Sequence, residues 1–348
     1  TDTLDLTAVQ QAYQTLKANY DGTLDQNALI EGATKGMVAG AGDRYTEYMT
    51  KTEAEEFNND LSGNIGGGIG VELSERSNRV IVTRVLADSP AGKAGVLAGD
   101  YIVGVNDEAN PSWTVDDVVS RVRGQVGTTV KLSIIRSNET KEFTITRAEI
   151  TDPSVRSEVR DGIGVLTISR FDEQTGQLAR QAARSFRDQN VKGVILDVRG
   201  NGGGYLTAAQ EVAGIWLDKK LVVSERKDGR TVDELTSGSS PILNGVPTVV
   251  LVNGGSASAS EIVAGALADN DAATLLGEKT FGKGSVQQLI TLPDGAQLKV
   301  TIARWFTPKG NNISEKGITP SVAVERSADD VNNNRDPQLD AALQRLQR

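Results

Sequence analysis

The chain contains neither cysteine nor histidine in its 348 residues. No thiol nucleophile, disulfide or cysteine-rich metal site can form. A Ser-His-Asp triad is excluded, and so is a zinc site with histidine ligands. A hydroxyl nucleophile in this chain must therefore take its base from Lys, Asp, Glu or Tyr. Long apolar runs are missing too. The longest, such as residues 249–252, are strand-sized and far from the ~18–20 residues that cross a membrane. There is no excess of positive charge either. Thirty-seven Lys and Arg against 46 Asp and Glu leave a net charge of −9 and no basic cluster, a poor match for nucleic acid or anionic lipid. No charged-then-apolar leader precedes Thr1, so a signal or anchor is expected to be lacking from this chain.

What is present is ordinary for a globular protein: 38% hydrophobic and 24% charged residues, on a chain long enough for two or three cores. Residues 1–62 read as a helical segment, with Leu4, Leu6, Val9, Tyr13, Leu16 and Tyr20 mainly at three- and four-residue spacing and a second periodic run over 29–38. Residues 51–60 read as a polar link to a glycine cluster. From 63 to 148 the texture is short β-rich runs broken by turns, with one helix over 114–123, which predicts a separate module. From 149 to 330 strands (163–168, 194–198, 248–252, 274–276, 298–303) alternate with helices (174–188, 205–216, 259–268), which argues α/β. A last helix is expected within 331–348.

Two of the strand ends open into loops that carry chemistry. Asn253–Glu261, NGGSASASE, runs from a strand into a helix. Ser256, Ser258 and Ser260 there can simply satisfy the free N–H groups of the helix. Alternatively one of them is exposed at the turn, with the next N–H facing a developing oxyanion. Gly277–Gln287, GEKTFGKGSVQ, fits most of a G-x-x-x-x-G-K loop. Gly284 stands where Ser or Thr is required, and strand rather than helix follows, so no nucleotide site is expected. By itself Lys283 reads as a surface lysine in a turn. A third cluster, GNGGG at 200–204, fails the dinucleotide fingerprint because Tyr205 takes its last position.

SASASE followed 25 residues after Ser258 by the lysine of FGKGSVQ resembles the catalytic signature of the C-terminal processing (tail-specific) serine peptidases. GDRYTEYM near the N-terminus, GGGIGVEL and SPAGKAGVLAGDYIVGVN in the middle module, VILDVRGNGGG and TPKGNNISEKGITPS resemble further elements of that family in the same order. Arg44, Asp107 and Ser321 depart from its usual Pro, Gly and Asp. The resemblance implies a crotonase-like serine protease core with an inserted PDZ domain and an N-terminal helical segment. It implies Ser258 as nucleophile, Lys283 as general base, Gln287 orienting the lysine, and the N–H groups of Ala259 and Gly204 as oxyanion hole. Glu261 and Asp269 match acidic positions near the family's site, although Glu in a first helical turn is favoured by the helix dipole anyway.

A neutral Lys283 would need its pKa, ordinarily near 10.4, lowered by perhaps ~2–4 units through burial. The PDZ resemblance implies that Gly67, Gly68, Ile69 and Gly70 hold the carboxylate of a protein tail, and that Val118, Val119 and Val122 line its side-chain pocket. Val118 and Val122, four residues apart, read equally well as core. Arg123 matches an element that links tail docking to the protease site. The expected partners are protein substrates with free C-terminal tails and, from the terminal helices, a second copy of the chain. No metal or cofactor is expected, and the family's usual place is outside the cytoplasm.

Overall fold

The computed structural model describes residues 3–347 other than 77, 78, 87, 111 and 334. The N-terminal part comprises α1 (Thr7–Asn19), α2 (Gln26–Ala39), β1 (Glu47–Met49) and α3 (Lys51–Ser62). The third helix replaces the polar link expected from composition. Its signal is local: Thr50 accepts from Glu53 N–H while the Glu53 carboxylate accepts from Thr50 N–H, a capping box that starts a helix whose apolar face is only Ala54, Phe57 and Leu61. The periodicity of the first run does give a helix, yet α1 and α2 bury none of their residues.

A middle module follows. β2 (Asn64–Gly68) pairs with β8 (Ala148–Thr151) as a two-stranded neck. Between them lie β3 (Val71–Arg76), β4 (Arg79–Val85), α4 (Pro90–Ala94), β5 (Tyr101–Val105), α5 (Val115–Val122), β6 (Thr129–Arg136) and β7 (Glu139–Thr146). Its five strands form an antiparallel sheet in sequence order, and its own core gathers Ile69, Val82, Leu132 and Ile134 with α5.

The remainder is α/β. It contains β9 (Val155–Arg160), β10 (Ile163–Ile168), α6 (Thr175–Asp188), β11 (Gly193–Asp197), α7 (Leu206–Ala213), β12 (Leu221–Lys227), β13 (Arg230–Thr236), β14 (Thr248–Val252), α8 (Ala259–Asp269), β15 (Thr274–Gly277), β16 (Ser285–Thr291), β17 (Gln297–Phe306), β18 (Val322–Ala323), α9 (Ala328–Asn332) and α10 (Pro337–Leu346). A six-stranded sheet runs β18-β15-β14-β11-β10-β9, parallel except for the β9 edge. Every residue of β14 is buried, as a strand covered on both faces must be. Helices α6, α7 and α8 cover one face, and α10 covers the other through Leu339, Ala342, Leu343 and Leu346. The last helix is thus part of the core. Arg199 ties it down by pairing with both Asp197 and Asp336. A second sheet places β17 between β16 on one side and β1 and β12 on the other, with β13 outermost. Chemistry-bearing loops therefore leave the C-terminal ends of β11, β14 and β15 together, where parallel sheets gather their sites.

Candidate active site

Of the three serines after β14, two are used up by the fold. Ser256 Oγ donates to Val198 O at 2.8 Å and Ser260 Oγ to Asn201 O at 2.8 Å, and both side chains are buried. The Ser258 hydroxyl donates to no group among the described residues. Ser258 also stands at φ 53° and ψ −116°, a conformation that costs a non-glycine residue of order 1–3 kcal/mol and clusters at functional sites. The strain is held from both sides. Asn201, fully buried, donates from Nδ2 to Ile168 O, takes Gly203 N–H on Oδ1, and receives Ala257 N–H and Ser260 Oγ on its carbonyl. The glycine loop and the serine turn are zipped together by this one side chain and its backbone, a role that GNGGG alone does not reveal.

The N–H groups of Ala259 and Gly204 have no acceptor among the described residues, whereas Gly203 N–H is taken by Asn201. Gly204 has φ 143°, and a Cβ there would overlap the Phe171 carbonyl that receives Tyr205 N–H, so only glycine fits. A Cβ on Gly203 would press on Ser258 Cβ at 2.7 Å. Unencumbered backbone thus lies close beside the serine.

Glu261 is the centre of the site's scaffold. Its carboxylate is completely buried and accepts four protein donors: Ser258 N–H (2.9 Å), Lys283 N–H (3.0 Å), Gly282 N–H (2.7 Å) and Thr280 Oγ1 (2.6 Å). It hooks the serine turn to the lysine loop, far more than a dipole-favoured residue would do. Trp305 Nε1 holds the same loop from the other side, donating to Lys283 O at 2.8 Å.

The half-buried Lys283 side chain enters a cavity of about 560 Å³ that also takes in Ser258, Ala259 and Gly202–Gly204, with Ile262, Leu206 and Trp305 as apolar wall. Burial lowers the lysine's pKa, the neighbouring Lys299 lowers it further, and Glu261 opposes them. Lys283 Nζ makes no hydrogen bond or ion pair among the described residues. It lies 5.3 Å from the centroid of Tyr45, whose hydroxyl is in turn held by Arg44 at 2.6 Å. Gln287 lines the same cavity but does not hold the lysine. It sits on strand β16, and its amide donates to the hydroxyls of Ser285 (2.8 Å) and Thr301 (3.1 Å), which compete successfully for it. Asp269 lies at the far end of α8, where it accepts Lys309 N–H.

Three family models match the chain in order: the activating protease CtpB N-terminal domain over residues 1–53, the PDZ domain over 67–146 and peptidase family S41 over 162–324. A probable CtpA-like serine protease of Staphylococcus haemolyticus is 38% identical over 323 residues, 92% of this chain and 65% of the relative. Residues 162–324 are thus a peptidase family S41 domain. A Staphylococcus aureus protein of the same description is 35% identical over 93% of this chain, which spans 66% of that relative's length. Among solved structures, the photosystem II D1 C-terminal processing protease superposes with a TM-score of 0.56 at 29% identity, covering 92% of this chain and 87% of that one. A putative S41 protease from Bacteroides fragilis shares the fold with a TM-score of 0.64 at 20% identity, over 94% and 92% of the two chains.

In the PDZ domain the tail-site residues fall differently from the expectation. Gly67 and Gly68 belong to β2, their backbone engaged opposite Glu149 and Ala148, so they are strand and not loop. Only Ile69 and Gly70 form the turn into β3; neither N–H has an acceptor among the described residues, while the Ile69 side chain is buried. Val118 and Val122 are 0% and 5% exposed and belong to the domain's core. On an eight-residue helix one i, i+4 face must pack inward, and these two occupy it. Val119 keeps some surface. Arg123 ends α5 with its side chain exposed, outside the cavity around Ser258.

Proposed function

We propose that this chain is a serine endopeptidase that cuts protein substrates near their C-termini, on a core of crotonase-like type. The observation that carries the reading is one hydroxyl on a strained turn that donates to nothing among the described residues, beside two N–H groups without an acceptor among them and in one cavity with a lysine of lowered pKa. Ser258 attacks the scissile carbonyl and Lys283, neutral, takes its proton. The N–H groups of Ala259 and Gly204 receive the oxyanion. Lys283 then protonates the leaving amine, and water, deprotonated by the same lysine, releases the acyl group from Ser258. Lys283 against Tyr45, rather than bonded to Ser258, supports a resting form, which tail docking at the Ile69–Gly70 turn would switch on. The test is an unfolded reporter with a free apolar C-terminus against the same reporter amidated. The free tail should be cut at least about tenfold faster, the size of one lost charge-assisted contact; equal rates would remove the tail requirement.

The exposed apolar side chains of Val9 and Leu16 in α1, with Leu6 at its N-cap, support self-association through that helix. Sedimentation should give a dimer that Val9→Asp with Leu16→Asp reduces to a monomer; an unchanged mass would remove α1 as the contact. A place outside the cytoplasm follows from the likeness to C-terminal processing proteases and is tested by cell fractionation. Among the described residues no helix is long and apolar enough to cross a membrane.

A further inference from the structure

The loop between α2 and β1, residues 40–46, brings a tyrosine to Lys283 from outside the α/β part of the chain. Asp43 sets the shape of that loop. Its carboxylate accepts Thr46 Oγ1 at 2.6 Å and Tyr45 N–H at 3.3 Å, a turn in which a short acid binds the backbone two residues on. Thr46 Oγ1 in turn accepts Thr301 N–H at 3.1 Å, which fastens the loop to β17 where β1 begins to pair with it. Tyr45, half-buried, is thereby fixed beside the lysine. Lys283 Nζ lies 5.3 Å from the ring centroid, inside the ~6 Å over which a ring face attracts a cation. Nζ has no hydrogen bond or ion pair among the described residues, and the Glu261 carboxylate already serves four other donors. The ring is the attraction left for an ammonium in this place. The same ring carries a second cation: the Arg44 guanidinium stands 4.7 Å from its centroid and donates to the Tyr45 hydroxyl at 2.6 Å.

We infer that Tyr45 is a positioning residue for the general base: its ring holds Lys283 as the ammonium, away from Ser258, and Arg44 on the same ring weakens that hold. The inference rests on the peptidase reading for what the lysine does, but not for the contact. A ring face attracts an ammonium through its quadrupole and gains little from a neutral amine. Losing the proton therefore also releases the lysine from the ring, so becoming neutral and becoming free to reach Ser258 are one event. Arg44 works the other way. A guanidinium stays charged at any working pH, and its repulsion disfavours a second charge beside it. Arg44 departs from the family's usual Pro, so relatives that keep Pro lack this second cation. The remaining charges around the lysine come from several elements. Lys299 of β17, paired with Glu47 of β1 at 2.8 Å, favours the neutral amine, and Glu261 of α8 favours the ammonium. Asp43 of the loop is engaged by Thr46 and Tyr45, while Asp60 of α3 and Arg170, itself paired with Asp172, stand on the cavity wall.

The experiment reads the Lys283 titration directly, in the full-length chain carrying Ser258→Ala, so that hydrolysis plays no part. Trace acetic anhydride acetylates the neutral amine and not the ammonium, and its yield at Lys283 is followed against pH by peptide mass spectrometry. Tyr45→Leu should move the midpoint down by about half a unit to one unit, the size of one partly desolvated cation–π contact. Tyr45→Phe keeps the ring and should stay within about 0.3 unit of the parent. Arg44→Met, at an exposed residue, removes a like charge and should move the midpoint up by about half a unit. With Ser258 restored, the rising limb of kcat/KM should shift with the same signs, so that below its limb Tyr45→Leu is about three- to tenfold faster than the native chain. A merely loosened site would admit water and move Tyr45→Leu up. That result, unmoved midpoints, or a Tyr45→Phe shift as large as that of Tyr45→Leu overturns the inference. Should Tyr45→Leu fail to fold, the upward shift in Arg44→Met carries the test, and its absence overturns the inference equally. Midpoints that move as expected, in a chain whose native form cuts nothing, leave the hold on Lys283 standing and remove the peptidase reading instead.

Discussion

Ser258→Ala lowers kcat for a fluorogenic peptide by about four to six orders of magnitude, and Lys283→Ala does the same within about tenfold, while the double variant is no worse than either. Nucleophile and base act as one unit, so their losses do not add. Neither substitution should disturb the fold. The Ser258 hydroxyl donates to nothing among the described residues, and alanine meets the same backbone strain that serine already bears at φ 53°. The Lys283 loop is pinned through its N–H and C=O, by Glu261 and Trp305, and not through its side chain. Circular-dichroism melts should therefore match the native chain.

The native pH profile adds a sign. The base is the neutral lysine, so kcat/KM rises with pH and levels off above the Lys283 pKa. Burial first, and Lys299 second, hold that pKa below the ordinary lysine value, so the plateau arrives at lower pH than an exposed lysine would give. Lys299→Gln removes one of the lowering causes and moves the rising limb to higher pH. Retention of more than a percent of activity in Ser258→Ala, or a limb that falls with pH, would sink the dyad.

The spacing of 25 residues singles out Ser258 among three serines in one turn, and hydrogen bonding supplies the physical reason for that choice. Ser256 and Ser260 point inward, to Val198 O just after β11 and to Asn201 O in the glycine loop, while Ser258, on the strained residue between them, lines the cavity. The parallel strands β10, β11, β14 and β15 and the helices between them were equally legible, because buried parallel strands are short apolar runs, whereas β9, β12 and β13, exposed along much of their length or paired far along the chain, were not expected. What stayed hidden depends on partners far along the chain. Asn201 and Glu261 act largely through bonds to residues 19 to 59 positions away in sequence, and no local pattern encodes those. The i, i+4 valines of α5 matched a tail pocket and a core equally, and packing decided for core. Gln287 read at helical spacing from Lys283, but the segment is extended, so its side chain meets Ser285 and Thr301. The apolar periodicity of α1 correctly gives a helix and says nothing of what covers it.

Glu261→Gln should lower kcat by about 10²–10³-fold with little change in KM, the cost of misplacing reacting groups by about an ångström. The buried carboxylate is acceptor-only and serves four donors, two on each oxygen. An amide of the same shape keeps one acceptor and turns an NH2 against two donors, whichever way it is placed. With the oxygen toward Thr280 and Gly282, the NH2 opposes the N–H groups of Ser258 and Lys283 and pushes nucleophile and base apart. Each donor left buried without an acceptor costs about 1–3 kcal/mol, so the melting temperature falls as well, and further in Glu261→Ala. Lost stability alone could mimic a loss of activity, and the pH profile separates the two. The Glu261 charge is the influence that raises the Lys283 pKa against burial and Lys299. Neutralising it lowers that pKa further, so the residual activity of Glu261→Gln should rise and level off at lower pH than the native enzyme. A merely loosened site would let water reach the lysine and move the limb the opposite way. A near-native kcat in Glu261→Gln would mean that serine and lysine hold their places without the carboxylate, and the loops after β14 and β15 would then have to be aligned by Phe281 N–H on Ser256 O, with Asn201 bracing the first loop and Trp305 the second.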